Sequence, residues 1–483
     1  MVRKVAFGAI ILLGFLVRLY KIDSPIADWH SWRQADTSAV SRNFVKYGFD
    51  LLRPRFDDIS SIPSGRENPQ GWRFVEFPIY NFFQAGLFKV FDKFSLEVWG
   101  RLTSVFSSLI SLVFLFLIAD YFLGQQVALL TAFFFACLPF NIFYSRSVLP
   151  GPMAVMFFLI SNYCFIRMFE SKKSDLIWLF ISAACGAVAT LISPYTAFFL
   201  LFPLGFLCIN FFFSTPDQRK KVIFYSLTFA LVVLLPFFLW RFWMKQFPEG
   251  IPANLWLFNE GGIRFRPAWF RWLFNERLGK LILGGWGLVF LVLGLLDRKK
   301  ARADLFFYSW LAGVIAFLSV IAKGNIQHDY YQILILPAIC IYLARGILLF
   351  FSLRVDSVRK IALPFLVSGV LAFSLAFSWY EVSGYYQINR PEIVEAGRMA
   401  DKLLPKNAKV IAPYGGDTAF LYQINRPGWP EFTDSVTKLQ ELGATHIVAV
   451  NFDARIAEAE KEYPVLLRTD KYIIISLISL EPR

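Results

Sequence analysis

The sequence is poor in charge for its length. Charged residues make up 17% of its 483 residues, whereas an ordinary soluble domain has about 25%. Hydrophobic residues make up 57%, which is too much for the surface and core of one soluble domain. Apolar runs near the roughly 20 residues that cross a bilayer recur from residue 5 to residue 380. The composition therefore predicts an integral membrane protein.

Cysteine is also scarce, with five in the chain. Four of them, Cys137, Cys164, Cys185 and Cys208, lie inside apolar runs, and none belongs to a C-x-x-C pair or another metal-ligand spacing. This pattern argues against a disulfide framework and a zinc site. No metal-binding residue is predicted, no cofactor is certain, and use of a divalent metal is left open.

Motifs for several other activities are missing. No P-loop, G-x-G-x-x-G, H-E-x-x-H or G-x-S-x-G pattern occurs in a suitable context, which argues against nucleotide-driven and hydrolytic chemistry. The centres of the apolar runs are nearly free of ionisable residues, whereas a transporter needs such groups at mid-membrane. A transporter or lipid flippase, and a catalytically inactive scaffold, stay as alternative functions.

The net charge of +14 is better explained by membrane topology than by nucleic-acid binding, because Lys and Arg are concentrated in short loops. About eleven spanning helices are predicted: 5–21, 100–119, 125–143, 149–169, 175–192, 195–213, 221–242, 278–296, 305–322, 331–350 and 360–380. With this count every basic cluster is cytoplasmic: Arg3/Lys4, Lys172/Lys173, Arg219/Lys220/Lys221, Arg298/Lys299/Lys300/Arg302 and Arg354/Arg359/Lys360. We therefore expect a multi-pass protein of the inner (plasma) membrane with a cytoplasmic N-terminus and no nucleic-acid partner.

Three long polar segments then face the outer side: 22–99, 243–277 and 381–483. The run "EFPIYNFFQAGLFKVF" at 76–91 is interpreted as a half-buried helix, because a full span there would invert every later loop. Function is expected in these outer segments.

The long apolar runs end near residue 381. "VIAPYG" at 410, "HIVAVN" at 446 and "YIIISLISL" at 472 indicate strands, and "PEIVEAGRMADKLL" and "DSVTKLQELG" indicate amphipathic helices. We predict a transmembrane domain over 1–380 and a small extracytoplasmic α/β domain over 381–483. The hexapeptide "YQINRP" occurs at 386–391 and again at 422–427, either as two similar turn-forming connections or in a shared binding role.

The first outer segment opens with "DWHSWRQADTSAVSRNF". Ser31 and Gln34 have the spacing of a capping box and Gly48 suits a helix end, so 32–47 is predicted to be a helix. Arg33 and Asp36 then lie one turn apart on one face. A carboxylate held at the membrane interface beside a cation is suited to general-base chemistry; the alternative is a set of solvated loop residues.

Several motifs resemble those of glycosyltransferase family 39 in the GT-C group of membrane enzymes, which includes protein O-mannosyltransferases and bacterial aminoarabinose transferases. The similarity rests on "SRNF", "EFPIYNFF", "WGRLTSVFSSLISLVF" and "YSRSVLPGPMAVMFF", from about residue 5 to 170, and on "HDYYQILILPA" at 328–338. The resemblance implies an α-helical polytopic GT-C fold, an acidic base in the first outer loop and a polyprenyl-phosphate sugar donor.

The chain also departs from the family pattern. Arg33-Gln34 stands where relatives have Asp-Glu, so the base is carried to Asp36, with Asp28 as runner-up. Phe77-Pro78-Ile79, preceded by Glu76, replaces the "P-P-L" element, and Gly151 replaces a second acid. These changes indicate a subfamily with a different acceptor.

We therefore predict a glycosyltransferase that moves a sugar from a polyprenyl-phosphate donor to a hydroxyl of a glycan, lipid or protein at the outer face of the bilayer. Predicted donor-phosphate and substrate-binding residues are His30, Arg33, Gln34, Arg42, Glu76, Arg146, Lys323, His328, Tyr330 and Tyr331, with Arg264, Arg266 and Arg271 as a second set. Lys323 and the second set have an alternative role in contacting lipid phosphate. His328 has a structural alternative, and the two tyrosines an alternative as interfacial anchors.

Overall fold

The computed structural model describes residues 2–170, 174–214, 216–298, 301–352 and 357–478. The chain forms two compact units, which we call the helical unit (Met1–Ile22, Arg101–Trp240 and Asn254–Gly384) and the mixed unit (Asp23–Gly100, Arg241–Ala253 and Tyr385–Arg483). Five residues of the predicted cytoplasmic basic clusters lie outside the described residues: Lys172, Lys173, Lys299, Lys300 and Arg354.

Every predicted spanning segment contains helix. The principal helices are Val2–Arg18, Leu96–Leu123, Gln125–Cys137, Pro139–Tyr144, Gly151–Glu170, Asp175–Ile192, Thr196–Ser214, Arg219–Met244, Arg271–Ile282, Gly287–Leu296, Ala301–Val320, Leu336–Ser352 and Ser357–Ser383. Shorter helices and helical turns are Pro216–Gln218, Trp256–Asn259, Glu260–Phe265, Pro267–Phe270, Ala322–Gln327 and Asp329–Leu334.

Within the described ranges, seven helices are long and apolar enough to cross a membrane, or eight if one bent pair counts as a span. The segments predicted at 5–21, 125–143 and 331–350 form shorter helices, of which Val2–Arg18 and Leu336–Ser352 have 17 residues each. The protein is therefore a multi-span membrane protein, and the number of eleven spans stays a prediction.

Two predicted spans are interrupted, and the sequence explains both breaks. The predicted span 278–296 contains a bend of 113° between Pro267–Ile282 and Gly287–Leu296. Gly284 and Gly285 lie at the bend with φ of 56° and 75°, a conformation that glycine adopts without steric cost. The helix Gln125–Cys137 ends before Pro139, because a proline disfavours helical geometry in the preceding residue.

In the mixed unit, the predicted helix at 32–47 is confirmed as Ser31–Tyr47, which ends before Gly48 with φ of 97°. The predicted capping box is wrong. His30 is the N-cap residue in a left-handed conformation, and the cap makes no side-chain hydrogen bond. Instead, Nε2 of Gln34 donates to Oδ1 of Asp28, which precedes the helix.

The run at 76–91 forms the helix Ile79–Val90. Its 12 residues extend about 18 Å at 1.5 Å per residue, which is too short for a span. The helix buries Tyr80, Asn81, Gln84 and Ala85 and exposes Phe82 and Phe83. The half-buried interpretation is thus confirmed.

The segment from 385 onward contains the helices Glu392–Leu403, Ala419–Ile424, Val436–Glu441 and Ala454–Glu462. Its five strands are β1 (Val410–Ile411), β2 (Gly428–Trp429), β3 (His446–Ala449), β4 (Val465–Arg468) and β5 (Ile473–Ser476). They form one sheet in the order β2-β1-β3-β5-β4. The β1 strand is parallel to β2 and β3, and β5 is antiparallel to β3 and β4.

The sequence predicted β1, β3 and β5, whose apolar side chains are buried. It missed β2, which has two residues, and β4, which is largely exposed. At β2 the backbones approach so closely that a Cβ on Gly428 would lie 1.8 Å from the Val410 oxygen. Such short or edge strands leave little hydrophobic pattern in a sequence.

The two copies of the hexapeptide have different structures. In the first copy, Tyr386 ends the helical turn Gly384–Tyr386, and Arg390 pairs with Glu392 near the surface. In the second copy, Tyr422 lies in the helix Ala419–Ile424, and Arg426 is buried against Asp401. The interpretation as two similar turn-forming connections is therefore wrong.

Replacing Gly71 by alanine tests how the loop before Glu76 is packed. Its φ is 63°, and a Cβ there would lie 2.6 Å from the Phe56 oxygen; Gly65 has φ of 73° but open space around it. Both alanine variants bear the left-handed backbone cost of about 1–2 kcal/mol, but only Gly71→Ala adds a clash. We expect a lower melting temperature in detergent for Gly71→Ala than for Gly65→Ala. Equal melting temperatures would contradict the packing of this loop.

Candidate functional site

The carboxylate of Asp36 is held at both oxygens. Its Oδ2 lies 2.7 Å from Nη2 of Arg73, and its Oδ1 accepts a hydrogen bond of 2.7 Å from Oγ1 of Thr418. Asp36 is 3% exposed. A negative charge is therefore kept in a nearly dry position by one cation and one hydroxyl.

Burial raises the pKa of Asp36 above its ordinary value, although Arg73, the hydrogen bond from Thr418 and the nearby Arg33 oppose the shift. Two further buried carboxyls of the mixed unit also have raised pKa values. Burial raises the pKa of Asp58 to about 7 and that of Asp417 to about 6, and the charge of Asp36 adds to both shifts. Carboxyl groups with pKa values moved toward neutrality are suited to accept protons.

Arg33 and Glu76 form an ion pair near Asp36. Nη2 of Arg33 donates to both carboxylate oxygens of Glu76, at 2.9 and 2.8 Å. Both residues influence the pKa of Asp36 in opposite directions. The site thus contains a compact group with two charges of each sign, in which every charge has a close partner: Asp36, Arg73, Arg33 and Glu76.

Arg42 is committed to other partners in the mixed unit. It pairs with Asp57, donates to the backbone oxygen of Tyr422 at 2.8 Å and lies 4.1 Å from the centre of the Tyr422 ring. The Tyr422 hydroxyl lies 2.9 Å from that of Ser38 and donates to Glu97. These contacts join the Ser31–Tyr47 helix to the Ala419–Ile424 helix.

The remaining predicted residues of the first outer segment lie at the start of the Ser31–Tyr47 helix. Nε2 of Gln34 donates to Oδ1 of Asp28 at 2.7 Å and to the Trp29 oxygen at 3.1 Å. The His30 ring packs edge-on against Trp29, with 5.1 Å between ring centres. Asp28 is 5% exposed, so it is buried nearly as deeply as Asp36.

The other predicted residues belong to the helical unit, where Arg146 and Asp329 are fully buried. Nη1 of Arg146 donates to the Lys21 oxygen at 2.7 Å. Asp329 accepts from the Tyr144 hydroxyl and lies 3.3 Å from Nη1 of Arg277. Arg277 is in the π-helix Arg271–Ile282, a geometry that is frequent at functional sites.

Aromatic rings surround His328. Trp256 lies edge-on at 5.4 Å, Tyr330 is stacked at 5.2 Å, and Tyr331 is at 5.5 Å between ring centres. Lys323 is half-buried in the same unit and has no hydrogen-bond or ion-pair partner among the described residues. Of the second set of arginines, Arg264 donates to the Val320 oxygen at 3.4 Å, and Arg271 is exposed beside Glu276.

The polar residues that sequence reasoning missed include the direct partners of Asp36 and the buried pair of the helical unit: Arg73, Thr418, Arg277 and Asp329. Arg73 follows Trp72 in the first outer segment, so its position offered a usable signal. Asp329 follows a predicted residue, His328, directly. Thr418 lies 382 positions from Asp36, and nothing in its local sequence indicates that contact.

In the part of the chain that the structure describes, no group of three or more His, Cys, Asp and Glu residues is arranged to hold a metal ion. At Gly151, where the resemblance implies an acid in relatives, a Cβ would lie 3.3 Å from Cγ2 of Ile333. A larger side chain at this position requires Ile333 to move.

Arg73→Gln should destabilise the protein in a pH-dependent way. Breaking a buried ion pair costs about 3–5 kcal/mol, because the remaining charge loses its partner. Since Arg73 opposes the rise in the pKa of Asp36, its removal raises that pKa further, and the stability lost grows as the pH rises through it. We expect a larger fall in melting temperature at pH 8 than at pH 5, relative to wild type.

Arg53→Gln is the matched control, because Arg53 pairs with Asp50 at the surface and is 53% exposed. Its effect should be small at both pH values. An equal loss for Arg73→Gln at pH 5 and pH 8 would contradict a charged Asp36 as the partner.

Comparisons with known proteins agree with this architecture. Residues 75–240 match the family described as dolichyl-phosphate-mannose-protein mannosyltransferase. A comparison with curated protein sequences gives no match. ArnT from Cupriavidus metallidurans bound to undecaprenyl phosphate is similar in structure, with a TM-score of 0.64 and 14% identity over 99% of this chain and 99% of that chain.

Two other solved structures are similar as well. The arabinofuranosyltransferase AftD from Mycobacteria has a TM-score of 0.61 and 14% identity, over 99% of this chain and 40% of that chain. The archaeal oligosaccharyltransferase AglB from Archaeoglobus fulgidus, in complex with an inhibitory peptide and a dolichol-phosphate, has a TM-score of 0.57 and 11% identity, over 92% of this chain and 69% of that chain. The chain thus has the GT-C fold of the membrane glycosyltransferases, and its resemblance to that group is confirmed.

Proposed function

We propose that the protein transfers a sugar from a polyprenyl-phosphate donor to an acceptor hydroxyl, with Asp36 as the general base. The observation that carries the proposal is the buried carboxylate of Asp36, whose pKa is raised and which lies beside Arg73 on a GT-C fold. Arg73 favours the ionised form of this carboxylate, while burial raises its pKa and so makes it a better proton acceptor than an exposed carboxylate.

The reaction requires one proton transfer and one displacement. The acceptor hydroxyl gives its proton to Asp36 while its oxygen attacks the anomeric carbon of the donor sugar. The bond between that carbon and the phosphate oxygen breaks, and polyprenyl phosphate leaves with the bonding electrons. Each carboxylate oxygen accepts more than one hydrogen bond, so an acceptor hydroxyl can bond to Asp36 while Arg73 and Thr418 stay in place.

Asp28 remains the alternative base. Both carboxyls are buried: Asp28 accepts a hydrogen bond from the amide of Gln34, and Asp36 lies 2.7 Å from the guanidinium of Arg73. We prefer Asp36 because this cation favours the ionised form that a general base needs.

Lys323 is the strongest candidate for holding the donor phosphate. Arg33 and Arg42 are each paired with a carboxylate, and Arg146 donates to a backbone oxygen. Lys323 has no such partner among the described residues, so its ammonium group is available to an anionic ligand. His328, Tyr330 and Tyr331 add an aromatic surface in the same unit, suited to contacts with a sugar or a prenyl chain.

The donor class is supported by the ligands of two similar structures, undecaprenyl phosphate in ArnT and a dolichol-phosphate in AglB. The acceptor is a glycan, a lipid or a protein. We further propose that the protein lies in the inner (plasma) membrane with its N-terminus in the cytoplasm. In this orientation the C-terminal α/β segment, 381–483, and the first polar segment, 22–99, are extracytoplasmic.

Asp36→Asn should lower sugar transfer by about 10²–10⁴-fold, the usual contribution of a general base. The measurement is transfer in membranes supplied with labelled polyprenyl-phosphate sugars, at matched expression. Asp50→Asn is the control, because Asp50 is an exposed partner of Arg53, and its activity should equal wild type. Loss with Asp28→Asn but not with Asp36→Asn would assign the base to Asp28, and normal transfer by both would overturn the carboxylate mechanism.

Lys323→Gln should raise the KM for the donor by roughly tenfold or more, because it removes a hydrogen bond between charged groups. The change in kcat should be smaller. Lys280→Gln is the control, since Lys280 is half-exposed and paired with Glu276. Steady-state kinetics against donor concentration measure both values, and an unchanged KM for Lys323→Gln would remove Lys323 from the phosphate site.

A further inference from the structure

The C-terminal segment contributes a side chain to the surroundings of the proposed base. Oγ1 of Thr418 donates to Oδ1 of Asp36 at 2.7 Å, across 382 positions of sequence, and lies 3.2 Å from the Trp32 oxygen. A hydroxyl has one proton to donate. The shorter distance and the negative charge of the acceptor favour Asp36 over the neutral carbonyl.

The backbone around Thr418 is itself fixed. Oδ1 of Asp417 accepts from the Ala419 amide at 2.7 Å, and the Thr418 oxygen accepts from the Tyr422 amide at 3.0 Å. Tyr422 is buried and bonded to Ser38 on the Ser31–Tyr47 helix. Thr418 is thus held by its own short helix, and that helix is bonded to the element that carries Asp36.

The two oxygens of Asp36 have different partners, and the difference matters for orientation. A single contact leaves a carboxylate free to rotate about its Cβ–Cγ bond. Arg73 on Oδ2 and Thr418 on Oδ1 together fix the plane of the group. Fixing the base in one orientation lowers the cost of reaching the reactive geometry.

We propose that Thr418 is a positioning residue for the reaction: its hydroxyl fixes the orientation of the Asp36 carboxylate and stabilises its ionised form. This inference rests on the proposed role of Asp36 as base. It makes the C-terminal segment a part of the catalytic apparatus, in addition to any contact that it makes with an acceptor. Thr418 acts through Asp36, and no contact with substrate is required of it.

The test compares Thr418→Val, which keeps the shape and removes the donor, with Thr418→Ser, which keeps the hydroxyl. Full-length variants are assayed in membranes for kcat and KM across pH, with labelled polyprenyl-phosphate sugar as donor. For Thr418→Val we expect kcat to fall about tenfold, the effect of losing one hydrogen bond to a charged group, with little change in the donor KM. Thr418→Ser should retain most of the activity.

The pH profile separates positioning from a merely structural effect. The hydrogen bond from Thr418 lowers the pKa of Asp36, so its removal should move the acidic limb of the kcat profile to higher pH. Thr418→Ser should keep the wild-type limb. Thr433→Val is the matched control: the hydroxyl of Thr433 is buried in the same segment and has no hydrogen-bond partner among the residues that the structure describes, so its loss should change neither kcat nor the profile.

The outcomes distinguish the positioning role of Thr418 from the role of Asp36 as base. Wild-type kcat and pH profile in folded Thr418→Val would overturn the positioning role, while loss of activity in Asp36→Asn would still support the base. Normal activity in Asp36→Asn would overturn the base assignment itself. If Thr418→Val does not accumulate in folded form, Thr418→Ala is assayed with the same criteria. A uniform loss at every pH, not restored by Thr418→Ser, would also contradict the inference.

Discussion

The ion pair between Asp36 and Arg73 is the interaction on which the organisation of the mixed unit depends. A buried carboxylate without a partner costs several kcal/mol, so the fold must bring a cation and a hydrogen-bond donor to it. Arg73 comes from the loop before Glu76, and Thr418 from the C-terminal segment. Three distant parts of the chain therefore have to meet at one carboxylate. Packed hydrophobic side chains at this position would not need such partners.

The helical unit also places a cation beside a buried carboxylate, that of Asp329. Asp329 is fully buried between Tyr144 and Arg277, and Arg277 lies in a π-helix that forms part of the sharply bent helix pair. Irregular backbone inside a membrane protein is tolerated where polar groups or a cavity need it. Lys323 differs from these residues, because the described part of the chain offers it no counter-charge. Such a cation is suited to an anionic ligand, which is the donor chemistry that the proposed function needs.

Much of the fold could be predicted from the sequence, because apolar periodicity and glycine or proline breaks are local signals. The helices Ser31–Tyr47 and Ile79–Val90 and the strands β1, β3 and β5 were all predicted, and so was the placement of Asp36 on a short helix. The capping box failed, since Gln34 bonds to Asp28 instead. The partners of Asp36 are less accessible to sequence reasoning, because a contact across 382 positions leaves no local pattern.

The sequence by itself determined the membrane class, the position of the helices and the polar segment that contains the candidate base, because hydrophobicity and helix signals are properties of neighbouring residues. Only the tertiary structure decided which charges meet. The two copies of "YQINRP" illustrate the reason: Arg390 pairs near the surface with Glu392, whereas Arg426 is buried against Asp401. The two arginines have the same local sequence but different environments. Their burial and their distant partners determine the free energy of each charge, and a short segment does not encode either of them.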